Sequence, residues 1–262
     1  MADLFDTSPA NEPAPRPATR PLADRIRPAS LGDVIGQEAI LGQDGPLGSM
    51  LAAGSLSSLI LWGPPGVGKT TIARLLADET DLAFVQISAI FTGVPELRKV
   101  FEAAKLRRQQ GRGTLLFVDE IHRFNKAQQD GFLPHMEDGT ILLVGATTEN
   151  PSFELNAALM SRAQVIVLQR LGLKDLELLA QRAERELGRK LPLTAQAREA
   201  LLEMADGDGR AALNLIEQVA AWKTDAPIDA QAMAQRLMRR AAKYDKSGDE
   251  HYNLISALHK SV

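Results

Sequence analysis

The chain has 262 residues, of which 45% are hydrophobic and 24% charged, and its formal net charge is −3. This composition is typical of one large globular domain or two modest ones. It argues against a strongly basic nucleic-acid protein, so contact with DNA would need a local patch or an assembly. The absence of cysteine from the sequence excludes disulfides and thiolate metal sites. There is neither a signal-peptide stretch nor an apolar run long enough to cross a bilayer, so we expect a cytoplasmic protein without membrane contact.

The chain up to residue 170 shows the alternation typical of an α/β fold. Residues 1–20 hold four prolines and few large apolar side chains, which predicts a disordered arm. Five apolar runs then predict buried parallel strands covered on both faces, at 58–62, 84–88, 114–118, 140–146 and 164–168. Helical patterns near 69–79, 95–109 and 126–137 separate these runs. They predict right-handed crossovers and an α/β domain over residues 21–170.

After residue 170 the pattern becomes helical. Leucines and alanines recur at spacings of three and four residues, which predicts helices over 174–187, 195–205, 210–222 and 229–242. We therefore expect a small all-helical domain over residues 171–245. The stretch 236–246 is basic and is interpreted as a solvated helix face, with contact to the DNA backbone as the alternative. Residues 251–262 form an apolar, helix-like run that ends without a cap. We interpret 246–262 as the start of a missing further domain, with a frayed terminal helix as the alternative.

The stretch LWGPPGVGKT, residues 61–70, follows the first predicted strand and opens the first predicted helix. It fits the pattern G-x-x-x-x-G-K-[ST], in which backbone amides and a helix dipole hold phosphate oxygens. In this pattern the lysine reaches the β- and γ-phosphates and the hydroxyl binds Mg²⁺, so the sequence predicts ATP and Mg²⁺ as ligands. The predicted nucleotide-binding residues are Gly63, Pro64, Pro65, Gly66, Val67, Gly68, Lys69, Thr70 and Thr71, with Thr70 also a metal ligand.

Two acidic residues, Asp119 and Glu120, end the third predicted strand. A carboxylate pair at the tip of a buried strand is costly unless a cation or a substrate meets it. We predict that Asp119 holds Mg²⁺ through its water shell and that Glu120 orients and polarises the attacking water. Thr148, after the fourth predicted strand, is expected to position the same water. Asn150 is a rival for that role, and a hydroxyl that caps a loop is the alternative interpretation of Thr148.

Two arginines are candidates for contact with the γ-phosphate. Arg162 lies just before the fifth predicted strand, where it cannot easily reach the phosphate-binding loop of its own chain, the P-loop over residues 63–70. It would therefore serve a neighbouring subunit as an arginine finger. Spacing alone favours a solvated surface arginine. Arg210 lies in the first turn of a predicted helix, where the dipole disfavours a cation and a phosphate would offset that cost. An exposed arginine beside a flexible glycine turn is the alternative. The four histidines lack metal-ligand spacing and are interpreted as surface or polar-core residues.

Together these motifs resemble the AAA+ ATPases, in which a P-loop, a Walker B acidic pair, sensor 1, an arginine finger and sensor 2 occur in this order. The matching residues here are Lys69, Asp119 with Glu120, Thr148, Arg162 and Arg210. The resemblance implies a P-loop NTPase fold: an α/β domain with a five-stranded parallel sheet, followed by a small helical lid that carries sensor 2. It also places Ile35, within the segment RPASLGDVIGQEAILG at 27–42, near the adenine base.

Three longer strings resemble one AAA+ family more closely, that of replication-associated recombination protein A, whose eukaryotic relative is the Werner helicase-interacting protein. They are DEIHRFNKAQQDGFLPHMEDGTI, GATTENPSFELNAALMSR and YDKSGDEHYNLISALHKSV. The resemblance implies a DNA-stimulated, nucleoid-associated ATPase that acts at stalled replication forks and single-strand/duplex junctions. It also implies single-strand-binding protein as a partner. Assembly as a tetramer is expected to depend on a C-terminal domain into which family chains continue.

The sequence leaves two other functions open. The SR dipeptide at 161–162 and the predicted lid also suit a clamp-loader subunit, although clamp loaders do not usually carry the strings HRFNKAQQD and TTENPSFELN. The second alternative is a nucleotide-gated scaffold with little turnover, against which the intact Glu120 argues. The ADLF segment near the N-terminus resembles clamp-binding peptides only weakly, because it lacks their leading glutamine.

Overall fold

The computed structural model describes residues 20–224 and 226–244, with side chains described up to residue 239. Its centre is a five-stranded, all-parallel sheet with the strand order β2-β3-β4-β1-β5. The strands are β1 Leu59–Trp62, β2 Ala83–Ser88, β3 Thr114–Asp119, β4 Leu142–Thr147 and β5 Gln164–Val167. Because all five are parallel, their last residues meet at one edge of the sheet, here called the carboxyl edge, and their first residues meet at the opposite, amino edge.

The three central strands and the two edge strands differ in burial. β1, β3 and β4 are almost entirely buried, as predicted from their continuous apolar sequence. β2 and β5 lie at the two edges, and Val167 of β5 is 44% exposed. The prediction that all five runs are covered on both faces was therefore wrong for these two. An edge strand has a neighbour on one side only, and the helices cover it incompletely.

Helices cover both faces of the sheet and form two hydrophobic clusters with it. The helices around the sheet are α2 Glu38–Leu41, α3 Pro46–Ala52, α4 Lys69–Glu79, α5 Val94–Gln109, α6 Lys126–Asp130, α7 Leu133–Glu137, α8 Pro151–Glu154 and α9 Ala157–Met160. The single helix predicted near 126–137 is instead the pair α6 and α7. Gly131 ends the first and Pro134, which has no amide hydrogen to donate, lies in the first turn of the second.

The helical layer consists of α10 Leu173–Leu187, α11 Ala195–Glu203, α12 Gly209–Ala220 and α13 Ala230–Tyr244. Their apolar faces share one core, separate from the clusters under the sheet. A partly buried charged group joins two of these helices, because Arg198 on α11 contacts both Glu177 and Glu184 on α10, at 2.8 and 2.7 Å. The hydrogen bond from Arg198 holds the pKa of Glu177 below its usual value. A sheet layer followed by a helical layer confirms the predicted fold class.

The short helix α1, Leu22–Arg25, belongs to the helical layer although it precedes the sheet in the chain. The sequence pattern places residues from 21 onward in the α/β domain. Instead, Leu22 and Ile26 lie in the core of the helical layer, and Leu22 N donates to Glu217 Oε1 of α12 at 3.2 Å. The apolar side chains of so short a helix are buried only where a neighbouring element covers them, and here that element is α12.

Some predictions fall on residues that the structure does not describe. They are the arm over residues 1–19, the ADLF segment within it, and the segment 246–262. Of the predicted basic helix 236–246, the described part belongs to α13. Among the helices of residues 20–224 and 226–244, none combines the length and apolar character needed to cross a membrane.

Candidate nucleotide-binding site

The glycine-rich segment between β1 and α4 turns at the carboxyl edge of the sheet. Gly66 and Gly68 have φ angles of +69° and +99°, in the left-handed region that favours glycine. Gly63 N donates to Thr147 O at the end of β4, at 3.2 Å, which ties the start of the segment to the sheet. This backbone path, from a buried strand into the N-terminus of a helix, is the one that a phosphate-binding loop requires.

Lys69 is buried in the first turn of α4. Its Nζ donates to the carbonyl oxygens of Gly63 and Pro64, at 2.7 Å each. Burial lowers the pKa of Lys69 below its usual value, and the nearby carboxylates of Glu120 and Asp119 act in the opposite direction. A buried ammonium held by neutral carbonyls, with two acids opposite it, is electrostatically suited to an anionic ligand with its own cation.

The acidic pair lies where β3 ends. Asp119 is the last residue of the strand, and its carbonyl accepts a hydrogen bond from Ala89 N at 2.9 Å. Glu120 has a φ of +53° and precedes a 3₁₀ helix over Ile121–Arg123. A left-handed conformation outside glycine costs on the order of 1–3 kcal/mol and is found mostly where the surroundings impose it, often at functional sites. Glu120 therefore follows Asp119 at the carboxyl edge of the sheet in a backbone conformation that its surroundings impose.

The polar residues after β4 separate into two roles. Thr148 lines the cleft that also contains the acidic pair. Asn150 instead caps α8, because its side-chain oxygen accepts a hydrogen bond from Ser152 N at 3.0 Å. This placement favours Thr148 over Asn150 as the residue that positions water.

The helical layer contacts the P-loop directly. Gly209 N at the start of α12 donates to Gly66 O at 3.2 Å. Asp208 caps the same helix through Ala211 N at 2.9 Å, and a Cβ added to Gly66 would overlap its carboxylate. Only glycine at position 66 therefore permits this close approach. Arg210, the second residue of α12, is exposed and lines the cleft on the side of the helical layer.

One cleft of about 540 Å³ lies between the sheet and the helical layer. This volume is typical of small-molecule sites, which measure about 300–1,000 Å³. The predicted site residues that line it are Ile35, Pro65, Gly66, Val67, Gly68, Lys69, Thr70, Thr71, Asp119, Glu120, Thr148 and Arg210. Gly63 and Pro64 contribute the carbonyls that hold Lys69.

The residues of the cleft fit a nucleotide triphosphate with a divalent cation. They include the buried Lys69, glycine amides at a helix start, the hydroxyl of Thr70 and the carboxylates of Asp119 and Glu120. Within the described residues, no group of three or more His, Asp or Glu side chains could hold a metal ion. The cation would therefore need phosphate oxygens as further ligands, which is how Mg²⁺ is commonly bound.

Arg162 lies away from this cleft, at the amino edge of the sheet. It precedes β5 by two residues, and its Nη2 and Nε contact Glu137 Oε1 at 2.6 and 2.7 Å. Its Nη1 donates to Ala158 O at 3.0 Å. The structure thus brings together every other predicted catalytic residue but leaves Arg162 outside its own chain's site.

His122 contacts a residue of this site without lining the cleft, and the sequence pattern does not single it out. Its Nε2 lies 3.3 Å from Glu120 Oε2, and its Nδ1 lies 2.9 Å from Thr147 Oγ1 on β4. Thr147 Oγ1 in turn accepts a hydrogen bond from Glu149 N at 3.0 Å. If the hydroxyl donates to Nδ1, the neutral imidazole carries its proton on Nε2, the nitrogen that faces Glu120. The imidazole thus links the tips of β3 and β4, and the signal available in the sequence was its position two residues after the acid.

We expect His122→Ala to lower kcat for ATP hydrolysis by about ten- to a hundredfold, because Glu120 loses a side chain that fixes its orientation. The KM for ATP should stay unchanged, since His122 does not line the cleft. His122→Gln keeps a donor on the side chain and should recover part of the activity. Steady-state phosphate release over a range of ATP concentrations separates the two constants. An equal fall in activity for both variants, or a change in KM alone, would contradict a positioning role.

Two sequence profiles match successive parts of the chain. The family described as "ATPase family associated with various cellular activities (AAA)" matches residues 59–171, and the "AAA C-terminal domain" matches residues 187–262. Replication-associated recombination protein A of Escherichia coli K12 is 47% identical over 253 residues, which cover 93% of this chain and 57% of that protein. The chain belongs to the replication-associated recombination protein A family of AAA+ ATPases. The resemblance stated from the sequence is thereby confirmed, and membership of this family implies nucleotide binding.

More distant members and neighbours agree with this assignment. The protein named ATPase WRNIP1 of Dictyostelium discoideum is 41% identical over 266 residues, covering 92% of this chain and 30% of that protein. Among solved structures, the RuvB Holliday junction branch migration motor of Thermotoga maritima matches with a TM-score of 0.68 and 28% identity, over 82% of this chain and 72% of that one. The chain spans little more than half the length of the bacterial replication-associated recombination proteins that it matches.

Proposed function

We propose that the chain is the ATP-hydrolysing part of a protein that acts on DNA at stalled replication forks, in recombination and repair. The observation that carries the proposal is the cleft that brings together the P-loop, the Asp119–Glu120 pair, Thr148 and Arg210. Membership of a family whose members are named for replication-associated recombination supports DNA as the macromolecule. These names do not favour the clamp-loader alternative.

Binding of ATP would begin with an exchange of partners at Lys69. Its Nζ gives up the carbonyls of Gly63 and Pro64 and meets phosphate oxygens, which are stronger acceptors. The P-loop amides and the dipole of α4 add further stabilisation of negative charge. Thr70 and Asp119 would hold Mg²⁺, which neutralises charge on the β- and γ-phosphates. Ile35, which lines the cleft, would lie beside the adenine.

Hydrolysis would use the residues at the ends of β3 and β4, beside the P-loop. Glu120 orients the attacking water and takes its proton, while Thr148 fixes the position of the same water. Arg210 contacts the γ-phosphate from the first turn of α12, whose N-terminus rests on Gly66. Departure of the phosphate ends that interaction, so the helical layer shifts against the P-loop. Arg162 completes the site of a neighbouring copy of the chain.

The wider assembly is proposed on the basis of family membership. We propose that the protein acts on single-strand/duplex junctions in the nucleoid and that single-strand-binding protein is a partner. We also propose that the protein, at the full length of the family's chains, assembles as a tetramer. The acidic net charge of −3 agrees with DNA binding through a local surface and not through the whole molecule.

The direct test is ATP turnover measured with and without a DNA junction. We expect the chain to release phosphate from ATP in the presence of Mg²⁺, and a gapped or forked DNA to raise kcat several-fold over blunt duplex. The same assay on a version extended to the length of the family's chains tests whether assembly raises turnover further. Absence of turnover in both versions, with ATP still bound, would favour the nucleotide-gated scaffold. If kcat is the same with and without every DNA tested, the proposed action on DNA is contradicted, while the proposed ATP hydrolysis is not.

A further inference from the structure

The segment that follows β2 exposes an apolar patch. Ile90, Phe91 and Val94 are 57%, 87% and 48% exposed. Single exposed apolar residues are ordinary, but three within five positions, including a nearly bare phenylalanine, form a surface that suits a partner. The backbone beneath them is fixed, because Phe91 N and Thr92 N both donate to Ser88 O, at 3.2 and 3.0 Å. The exposure therefore belongs to the folded turn.

Positive charge continues from this patch along α5. The helix carries five basic and two acidic residues, although the whole chain is acidic. Arg98 and Lys99 are exposed one turn after Val94, and neither takes part in any of the ion pairs formed within the described residues. Of the two acids, Glu96 is engaged with Gly93 N at 3.1 Å. We call Ile90, Phe91, Val94, Arg98 and Lys99 the β2-edge surface.

We propose that the β2-edge surface binds a single strand of DNA, with Phe91 stacked on a base and with Arg98 and Lys99 against the phosphates. Aromatic stacking combined with backbone neutralisation is the physical basis of single-strand binding. In a duplex the bases are already stacked on one another, so Phe91 would find no base to stack on. A purely apolar protein partner would offer no negative charge to Arg98 and Lys99. This inference rests on the proposed action on DNA and names the surface that carries it.

The β2-edge surface is linked to the catalytic acids by the strand order. β2 pairs with β3 so that Ser88 lies beside Asp119, and Ala89 N donates to Asp119 O. A DNA strand bound to Phe91 is therefore two residues along the chain from Ala89, whose backbone contacts Asp119 of the acidic pair. This short connection is a physical route by which bound DNA changes turnover.

The test is the affinity for a fluorescent oligothymidylate, measured by anisotropy on the full chain. We expect Phe91→Ala to weaken binding about tenfold and Phe91→Trp to restore it. Replacing Arg98 and Lys99 by glutamine should reduce the slope of log affinity against log salt by about 0.7 for each phosphate that is no longer neutralised. The matched control is Phe153→Ala: Phe153 is 85% exposed, but its charged neighbours are the acidic Glu149 and Glu154, so affinity should not change.

The outcomes separate this inference from the proposed function. Wild-type affinity in Phe91→Ala overturns the β2-edge surface and leaves action on DNA intact. Failure of the unaltered chain and of its extended version to bind any DNA overturns both. If Phe91→Ala leaves DNA affinity intact and instead dissociates an oligomer in sedimentation, the surface joins copies of the chain and the inference is wrong. All of these substitutions are at exposed positions, so thermal unfolding should be unaffected and confirms that the variants fold.

Discussion

Glu120→Gln is expected to lower kcat for ATP hydrolysis by about 10²–10⁴-fold, the usual contribution of a general base. The amide keeps the shape of the side chain and its contact with His122 Nε2, which lies 3.3 Å from the carboxylate. It cannot, however, take a proton from water. Affinity for ATP should remain, because Lys69 and the P-loop glycines are untouched. Steady-state phosphate release at saturating ATP and Mg²⁺ measures the fall in kcat, and calorimetric titration with ATP measures the affinity.

A matched control removes the same charge elsewhere. Glu203 is exposed on α11 and does not line the cleft, so Glu203→Gln should leave both kcat and affinity unchanged. Wild-type turnover in Glu120→Gln would show that this carboxylate is not the base. Loss of ATP affinity together with turnover would point to a structural role for the left-handed turn at Glu120.

How far the sequence predicts the fold depends on whether the deciding contact is local. The central strands β1, β3 and β4 are continuous apolar runs, and burial on both faces requires such runs. The edge strand β2 is also apolar, and only the strand order reveals that one side of it is open. The association of α1 with α12 could not be predicted, because the hydrogen bond between them joins residues 195 positions apart in the chain.

The same distinction holds within the site. The P-loop was predictable because its function lies in consecutive residues and their backbone angles. The contact between His122 and Thr147 was not, since it requires β3 and β4 to be neighbours although 25 residues separate the two side chains. Asp208 was missed for a similar reason. Its importance arises from the close approach of Gly66, and nothing in the sequence around position 208 indicates that approach.

Arg162→Ala is expected to lower turnover of the assembled protein by about 10³–10⁵-fold, the usual contribution of an arginine finger. In the single chain Arg162 is held by Glu137 at 2.6 Å, but both side chains are exposed. Such surface pairs contribute only about 0–1 kcal/mol. A finger that supplies about 4–7 kcal/mol to the transition state easily outweighs that contact, so release from Glu137 does not prevent the role. The matched control is Arg112→Ala, an exposed arginine that likewise precedes a strand by two residues and should not matter.

Mixing two inactive variants decides whether Arg162 acts between copies of the chain. In an equal mixture of Glu120→Gln and Arg162→Ala proteins, about a quarter of the interfaces join an intact arginine to an intact Glu120. If the finger acts in trans, those interfaces hydrolyse ATP and turnover rises far above that of either variant alone. Action within one chain predicts no recovery, because every chain in the mixture lacks one of the two groups. Turnover per chain should also increase with protein concentration, whereas an active monomer with unchanged turnover in Arg162→Ala would rule out the trans finger.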